Sequence, residues 1–341
     1  MNNAHKIRFG MWVDFRNPSQ WEQPWDRLWR ELIDLIAWAE TIGWDDVLLS
    51  EHHFTEDGYP PSPIVLASAI AARTTSIRIG QFVALLPLYH PVRLAEDGAM
   101  VDIVSGGRFE LGVGLGYRAE EFAGYGIPIK GRGVRADEAL QIIRRLWQGE
   151  TVTFKGRHFQ IEKARLSPLP LQRPNPPIWV GGYTPSAYRR AARYGDGMVP
   201  AGDLEQAYGA YVRELRAAAK DASRPRVASA AGGAMFFAVS DDPGKTWNEM
   251  APHVAYHINT YASWSGTTQS YPRIADPAML KSYPGFFTVL TPQEAVSRIK
   301  AAAEKVPIER WYTMVRPPGY SLNKARENLE LFAARVIPHF R

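Results

Sequence analysis

Two adjacent histidines follow the second apolar segment of the chain, within the sequence Ser50-Glu51-His52-His53-Phe54. Histidine suits proton transfer near neutral pH because its unperturbed pKa is about 6.5. Neighbouring residues of a strand point to opposite faces, so at most one of the two imidazoles faces a given pocket directly. The pair is a candidate for acid–base chemistry, with a purely structural hydrogen-bonded pair at a strand end as the alternative.

A glycine-containing turn is the second candidate site. In the segment Trp179–Ser186, a strand-like run ends in Gly181-Gly182, and Tyr183-Thr184-Pro185 then leads into a helix. The free N–H groups and the dipole of a helix N-terminus bind phosphate readily, and the Ser186 hydroxyl can add a hydrogen bond. An ordinary helix cap by Thr184, with proline at the first helical position, is compatible with that role. We therefore predict a phosphate site at this turn.

Several other kinds of chemistry lack their motifs. The chain has no cysteine, which excludes a disulfide scaffold, a thiolate zinc site and a cysteine nucleophile.

His253 and His257 are spaced to share a helix face, but no HExxH pattern accompanies them, so no metal site is predicted. Tyr117 stands where a dinucleotide fingerprint beginning at Gly112 would have its third glycine. The acidic pair Glu120-Glu121 is expected to lie in a solvated loop, which argues against paired catalytic carboxylates.

Charge and hydropathy limit the partners. Forty basic and 35 acidic residues give a formal charge of +5. The densest basic stretch, Lys130 to Arg145, is interrupted by Asp137 and Glu138, so no nucleic-acid partner is predicted. No segment approaches the roughly 20 apolar residues that span a bilayer, and residues 1–8 lack the apolar centre of a signal peptide. We expect a cytoplasmic protein with no membrane partner.

The elements that must position these candidates alternate between short apolar runs and longer amphipathic runs. A helix-like run follows each strand-like run, which predicts parallel strands with crossover helices. Eight such units are the number that closes a (β/α)8 barrel, so we predict one α/β TIM-barrel domain over residues 1–341. The predicted strands are Ile7–Asp14, Asp46–Glu51, Ile77–Leu86, Arg108–Gly114, Pro177–Val180, Gly197–Pro200, Ala230–Val239 and Trp311–Val315.

Two segments exceed a minimal barrel of roughly 250 residues. Residues 151–176 alternate like a hairpin and then become rich in proline. Residues 241–290 follow the seventh predicted strand, on the side where barrel enzymes build their active sites. Their aromatic content argues against plain disorder and favours a cover over the site; the aromatic residues include Trp247, Tyr256, Tyr261, Trp264, Tyr271, Tyr283, Phe286 and Phe287.

Three segments resemble the bacterial luciferase-like flavin monooxygenases: Leu49–Glu56, Leu86–Asp97 and Ser105–Phe109. The segment Leu111–Tyr117 with Glu121-Phe122, and the turn Trp179–Ser186, also occupy the places expected for that family. The resemblance covers most of residues 7–199. It implies a barrel that binds a flavin at the carboxyl ends of its strands, usually as a homodimer.

The resemblance also implies roles for individual residues. His52 would act in catalysis on the flavin, held in orientation by Glu51. A non-proline cis peptide would fall at Phe82-Val83, a wall of the flavin site. The flavin phosphate would rest on the Gly181-Gly182-Tyr183 backbone and on Ser186.

One departure from the family concerns the phosphate. Some relatives have an arginine near it after the fourth strand, where this chain has Leu115. Backbone donors, with Tyr117, are expected to replace that arginine. The arginines that hold substrate in the alkanesulfonate branch have no matching set here. The pocket is instead expected to be aromatic and to take an apolar or aromatic organic substrate; the predicted lining residues are Trp12, Phe15, Tyr256, His257 and Trp264.

The function that the resemblance implies is a two-component monooxygenase. A separate NAD(P)H-dependent flavin reductase would supply reduced FMN, and reaction with O2 would give a C4a-peroxyflavin. His52 would manage a proton on that species, and the aromatic cover would exclude water. Two alternatives remain open. One is hydride transfer with the deazaflavin coenzyme, whose polyanionic tail would use the basic stretch Lys130–Arg145. The other is a non-catalytic flavin-binding barrel.

Overall fold

Strands and helices alternate along the chain, as the hydrophobic pattern predicts. The computed structural model describes residues 6–200, 203–220, 226–230, 236–264 and 271–341. The strands in these ranges are β1 Arg8–Val13, β2 Asp46–Leu49, β3 Arg78–Leu85, β4 Phe109–Gly114, β5 Val152–Lys155, β6 Gln160–Ala164, β7 Ile178–Gly182, β8 Gly197–Pro200, β9 Val227–Ala230, β10 Phe236–Val239, β11 Phe287–Leu290 and β12 Ile308–Arg316.

The helices pack around these strands. In the same ranges they are α1 Trp25–Thr41, α2 Pro63–Arg73, α3 Pro91–Ser105, α4 Ala119–Gly124, α5 Arg132–Trp147, α6 Pro185–Tyr194, α7 Leu204–Ala217, α8 Pro243–Trp264, α9 Pro292–Lys305 and α10 Leu322–Arg335. Buried faces explain their positions: α1, for example, turns Leu28, Leu32 and Ile36 towards the sheet. Among the described helices, none is both long enough and apolar enough to cross a membrane.

The sheet curls into a closed ring of parallel strands. Within the described residues the order around the ring is β1, β2, β3, β4, β7, β8, β9 and β12, and β12 returns to β1. The shortest strand pairing in the ring is that of β8 with β9, where Met198 pairs with Val227. The parallel α/β architecture is therefore confirmed. The carboxyl ends of all these strands face one rim of the ring, and that rim is the place for a site.

The prediction for the seventh strand was wrong in its position. The ring strand is β9, which ends at Ala230, whereas the second half of the predicted strand forms β10 outside the ring; residues 231–235 lie outside the described ranges. β10 pairs in parallel with β11. Its four residues are all buried, under α8 on one side and against β12 on the other, and the Thr313 hydroxyl accepts from the Phe237 N–H at 2.9 Å. A fully apolar run does not distinguish a ring strand from one in an outer layer.

The segments predicted as insertions contain ordered elements. β5 and β6 form the antiparallel hairpin that the alternation between residues 151 and 166 predicts. The second segment contributes α8 and β11, so it is built largely of regular structure. The described part of residues 241–290 is therefore a packed layer beside the ring.

An ionic cluster fills the opposite end of the ring. The fully buried Arg310 guanidinium donates to Asp46 at 2.8 Å and to Glu110 at 2.5 Å. Above this cluster the interior is closed by Phe82 and Trp179, whose rings lie 5.1 Å from the Arg310 Cζ. These side chains fill the interior of the ring at the amino ends of the strands. A site is therefore expected at the carboxyl rim.

Candidate functional site

The central feature of the carboxyl rim is a buried histidine–carboxylate pair. His52 follows β2 directly, and Glu121 lies in the first turn of the short helix α4, which follows β4. The Nδ1 of His52 is 2.8 Å from Oε1 of Glu121. Both side chains are buried. The segments that follow β2 and β4, which flank β3 in the ring, thus bring together residues that are 69 positions apart in sequence.

Glu121 contradicts the prediction of a solvated acidic loop. Its side chain is fully buried, and Oε1 also accepts from the His53 backbone N–H at 3.0 Å and from Arg118 Nη1 at 3.3 Å. Burial by itself raises the pKa of this carboxyl, but the hydrogen bonds from His52 and His53 and the charge of Arg118 bring the pKa below its ordinary value. Glu121 is therefore an ionised acceptor at neutral pH.

The ionised partner fixes the tautomer of His52. Because a carboxylate oxygen only accepts, Nδ1 must carry the proton in the neutral ring, which leaves Nε2 as an acceptor. Within the described part of the chain, Nε2 has no hydrogen-bond partner. Burial lowers the pKa of His52, and Glu121 opposes that effect without cancelling it. The imidazole is thus neutral near pH 7 and can take up a proton at Nε2.

Glu51 does not orient His52, so that prediction was wrong. Its Oε1 bonds His53 Nε2 at 2.8 Å, while Oε2 accepts from the Tyr89 hydroxyl at 2.8 Å and from Gln81 Nε2 at 3.2 Å. Glu51 and His53 are two residues apart and face the same side, whereas His52 faces the other. The two histidines therefore have separate carboxylate partners.

Aromatic rings cover His52. The ring centroids of Tyr59 and Trp264 lie 4.8 Å from the imidazole centroid, and those of Tyr261 and Tyr117 lie at 5.7 and 5.8 Å. This places the predicted lining residue Trp264, from the end of α8, directly against the candidate base. Aromatic rings thus surround His52, and Trp264 is the predicted lining residue among them.

The other predicted lining residues are distributed differently. Trp12 lies near the site, with its indole N–H donating to Ser50 Oγ at 2.9 Å. Phe15 is fully buried in the core, with its ring centroid 5.4 Å from that of Trp29. Tyr256 donates to Asp57 at 3.0 Å and borders a separate open cleft of about 520 Å³ between α8 and the segment around Trp21.

His257 belongs to a buried ion-pair cluster behind the aromatic cover. Its Nδ1 bonds Arg16, whose guanidinium also pairs with Asp14, and its ring stacks on Tyr261 with centroids 4.6 Å apart. His253 on the same helix instead bonds the Pro318 carbonyl at 2.8 Å. The two histidines therefore do not converge. In the ranges that the structure describes, no group of three or more potential metal ligands occurs.

Acid is expected to destabilise the fold through His257. Burial, followed by the charge of Arg16, lowers the pKa of His257 to about 4. Between pH 6.5 and 4 the unfolded chain binds a proton at this residue and the folded chain does not, so stability falls as the pH decreases. The loss approaches about 3 kcal/mol at pH 4. Urea unfolding at pH 7 and pH 4.5 should show a smaller pH difference for His257→Gln, and the same difference as the wild type for the exposed His339→Gln. An unchanged pH difference in His257→Gln would contradict this assignment.

The predicted phosphate turn forms at the end of β7. Thr184 caps α6 by accepting from the Ala187 N–H at 3.3 Å, with Pro185 in the first turn, and its hydroxyl lies 3.0 Å from that of Ser186. Gly182 has φ +144, and a Cβ there would lie 2.6 Å from the Cβ of Ala187. The turn thus keeps its backbone free of side chains, with Tyr183 41% exposed beside it.

A wall of small and apolar groups connects this turn to β3. The Phe82-Val83 peptide is cis, as the resemblance implies. A Cβ on Gly114 would lie 2.7 Å from a methyl of Val83, and one on Gly181 would lie 3.0 Å from the other methyl. Leu115 packs on the main core, and the hydroxyl of Tyr117 is buried without a partner in the described residues. The glycine cradle fits a flat group such as a flavin between β3, β4 and β7.

Comparison with known proteins identifies the family. The sequence profile of luciferase-like monooxygenases matches residues 7–308. The chain belongs to the luciferase-like monooxygenase family. Among curated relatives, the oxygenase component of a flavin-dependent trigonelline monooxygenase from Acinetobacter baylyi is 31% identical over 55% of this chain and 52% of its own length. The 4-hydroxyprotoasukamycin monooxygenase of Streptomyces nodosus is 34% identical over 56% of this chain and 51% of its own length. The chain spans about half the length of these relatives.

The solved structures of similar fold include proteins that use two different cofactors. The monooxygenase RslO1 of Streptomyces bottropensis superposes with a TM-score of 0.85 at 22% identity, over 98% of this chain and all of the other. The oxygenating constituent of 3,6-diketocamphane monooxygenase from Pseudomonas putida, solved with FMN, gives 0.76 at 20% identity over 98% of each chain. A secondary alcohol dehydrogenase dependent on coenzyme F420, a deazaflavin, gives 0.77 at 18% identity, over 98% of this chain and 99% of the other. At these identities the likeness shows the luciferase-like fold alone.

Sequence reasoning missed part of this luciferase-like site. The sequence names Glu121 only within an acidic loop pair and the family motif, and it does not single out Arg118, although an arginine three residues before a glutamate, on a short helix after a ring strand, is a signal that the strand-end rule could use. Tyr59 lies in the segment between β2 and α2, which contains no regular element. Its closeness to Tyr261, with hydroxyls 2.8 Å apart, follows only from the packing of α8.

Proposed function

We propose that this chain is an FMN-dependent oxygenase that uses reduced FMN and O2 to oxygenate a small apolar or aromatic organic substrate. A separate NAD(P)H-dependent flavin reductase would supply the reduced FMN, and the oxygenase would act as a cytoplasmic homodimer. The observation that carries the proposal is His52, held by Glu121 and under the rings of Tyr59, Tyr261 and Trp264, with Nε2 unpartnered among the described residues.

The residues at the rim have different proposed roles. Reduced flavin, when bound, supplies the electrons and the O2 activation that an oxygenation needs. His52 would accept or return a proton at Nε2, and Glu121 would keep the ring in the tautomer that allows this. The aromatic cover would exclude water from the reacting atoms. The turn at Gly181-Gly182, with the N-terminus of α6, would hold the phosphate.

The basic stretch favours FMN over the deazaflavin coenzyme. Four of its arginines bond groups of the protein: Arg132 donates to the Gly116 carbonyl at 3.2 Å, Arg135 to the Pro87 carbonyl at 2.8 Å, Arg144 to Asp196 at 3.0 Å and Arg145 to Glu150 at 2.7 Å. A polyanionic tail would have to compete with these bonds. FMN carries a single phosphate, which the glycine turn can hold.

Anaerobic titration tests the proposal directly. Reduced FMN and the reduced deazaflavin coenzyme are titrated separately into the protein, and each complex is mixed rapidly with oxygenated buffer while absorbance is recorded. We expect tight binding of reduced FMN and a reoxidation whose time course differs from that of free flavin. Binding of the deazaflavin coenzyme alone would overturn the proposal in favour of hydride transfer. FMN binding with no effect on its reaction with O2 would favour a non-catalytic flavin-binding barrel.

A substitution in the turn is expected to separate phosphate binding from ring binding. In Gly182→Ala the new methyl clashes with Ala187 and the backbone leaves its φ of +144. Strain of about 1–3 kcal/mol should weaken FMN binding by roughly 10- to 100-fold. Fluorescence titration should show a much smaller loss for riboflavin, which has no phosphate. The matched control is Gly209→Ala on α7, where the methyl has room. Equal losses for FMN and riboflavin would place the phosphate elsewhere.

A further inference from the structure

Two phenol hydroxyls above His52 are hydrogen-bonded to each other. The Tyr59 and Tyr261 oxygens are 2.8 Å apart, and either hydroxyl can be the donor. A hydroxyl has one proton and two acceptor positions, so one hydrogen bond leaves Tyr261 able to make another. Among the described residues, Tyr59 is the partner found for the Tyr261 hydroxyl.

A second phenol donor lies across the same imidazole. The hydroxyl of Tyr117 is buried and has no partner in the part of the chain that the structure describes. The rings of Tyr117 and Tyr261 lie at similar distances from that of His52, 5.8 and 5.7 Å. A buried hydroxyl without a partner is unfavourable. The unpartnered hydroxyl of Tyr117 and the remaining hydrogen-bonding capacity of Tyr261, beside one candidate base, indicate that a group from outside the chain completes the site.

The surroundings favour an acceptor that is anionic and attached to a flat ring. Arg118 is 6% exposed, its Cζ lies 4.3 Å from the Trp264 ring centre, and its Nε is buried without a hydrogen bond to any residue that the structure describes. The Trp264 ring in turn lies 4.8 Å from His52. A guanidinium in a water-poor site stabilises negative charge more strongly than it would in water. The tyrosine and tryptophan faces supply stacking surfaces for an aromatic ring.

We propose that the pocket over His52 binds an aromatic substrate through an anionic oxygen, a phenolate or an aryl carboxylate, which accepts hydrogen bonds from Tyr261 and Tyr117. This inference rests on the proposed oxygenase function and names the substrate class of the same site. The oxygen fixes the position of the ring relative to His52, and Arg118, which also pairs with Glu121, lowers the cost of a second negative charge there. A substrate without an acceptor oxygen would leave the Tyr117 hydroxyl without a partner.

Three nitroarenes of similar size test the proposal by equilibrium binding. We would titrate the protein, with and without FMN, with 4-nitrophenol, 4-nitrobenzoate and the neutral 4-nitroanisole, following quenching of tryptophan fluorescence. The absorbance of 4-nitrophenol also reports its ionisation, because the phenolate absorbs at a longer wavelength. We expect 4-nitrophenol to bind as the phenolate, about tenfold or more tightly than 4-nitroanisole.

Removal of single hydroxyls assigns the effect to the two tyrosines. Tyr261→Phe and Tyr117→Phe keep the rings and should each weaken binding of the anion about tenfold, with no change for 4-nitroanisole. Tyr211→Phe, a buried tyrosine of α7 away from the rim, is the matched control and should bind all three compounds like the wild type. Thermal unfolding of each variant checks that the fold is kept.

Each outcome decides one point. Preference for 4-nitrobenzoate, with the same losses in the Phe variants, supports the proposal and identifies the acceptor as a carboxylate. Equal affinity for 4-nitroanisole, or unchanged anion binding in both Phe variants, overturns it. If reduced FMN binds and reacts with O2 while neither anion is preferred, only this inference fails. If an anion binds as expected but reduced FMN does not, the proposed oxygenase function fails instead.

Discussion

Replacing His52 by alanine is expected to lower turnover by roughly 10²- to 10⁴-fold, the usual contribution of a positioned acid or base. The imidazole is buried, its Nδ1 bonds Glu121 at 2.8 Å, and its Nε2 has no partner in the described part of the chain. His257 also stacks on Tyr261, but its Nδ1 bonds Arg16 in the buried ion-pair cluster. Single-turnover kinetics, started by mixing enzyme and reduced FMN with oxygenated substrate, would measure the effect separately from flavin supply.

The control for this variant is His253→Ala. His253 is also a partly buried histidine near α8, but its Nδ1 bonds the Pro318 carbonyl and its ring lies against Trp21, outside the site. We expect His253→Ala to keep the wild-type rate and both variants to bind reduced FMN about as tightly as the wild type. A wild-type rate in His52→Ala would remove His52 from the mechanism. Loss of FMN binding in that variant would instead make it a binding residue.

The position of His52 could be predicted from sequence because it depends on a general rule. A histidine at the end of a strand of a parallel ring lies at the rim where sites form, and the strand ending at Leu49 was recognisable from its apolar run. The turn at Gly181-Gly182 could be predicted for the same reason, since two glycines, a capping residue and Pro185 define a helix start locally. Both predictions need only a few consecutive residues.

What could not be predicted depends on contacts between distant segments. Glu51 is the sequence neighbour of His52, yet side-chain alternation turns it towards His53, and the carboxylate that holds His52 comes from α4. Trp12 lies in β1, and Phe15 comes two residues after the end of that strand. Phe15 packs in the core on Trp29, whereas Trp12 bonds Ser50 at the rim. Residue type gives no information about which of two aromatic residues is buried among helices.

The outer strand pair shows the same limit at the level of the fold. β10 is as apolar as a ring strand, and only its pairing with β11 and its hydrogen bonds to Thr313 show that it lies outside the ring. This displacement matters for the site because β10 and β11 support α8, which contributes Tyr261 and Trp264 to the cover. A sequence-based barrel that used β10 as its seventh strand would misplace that helix.

Glu121→Gln is expected to lower turnover by about 10- to 100-fold at pH 7, the value of a lost charge-assisted hydrogen bond. Glutamine keeps the shape of the side chain, but its amide is neutral and can present either an acceptor or a donor to His52 Nδ1. The tautomer of His52 is then no longer fixed, and Arg118 loses its nearby counter-charge. Glu121 contacts the base and not the reacting atoms, so it is a positioning residue.

The pH dependence distinguishes this role from a merely structural one. Burial lowers the pKa of His52, and Glu121 is the group that raises it, against the charges of Arg118 and Arg16. Without the carboxylate the pKa of His52 falls further. The limb of the pH–rate profile that reports His52 must therefore move to lower pH, whether the protonated or the neutral ring is the active form. Glu120→Gln removes an exposed charge one residue away and should leave the limb in place, while Glu121→Asp should restore part of the shift. A limb that stays at its wild-type pH in Glu121→Gln would show that Glu121 does not control the proton on His52.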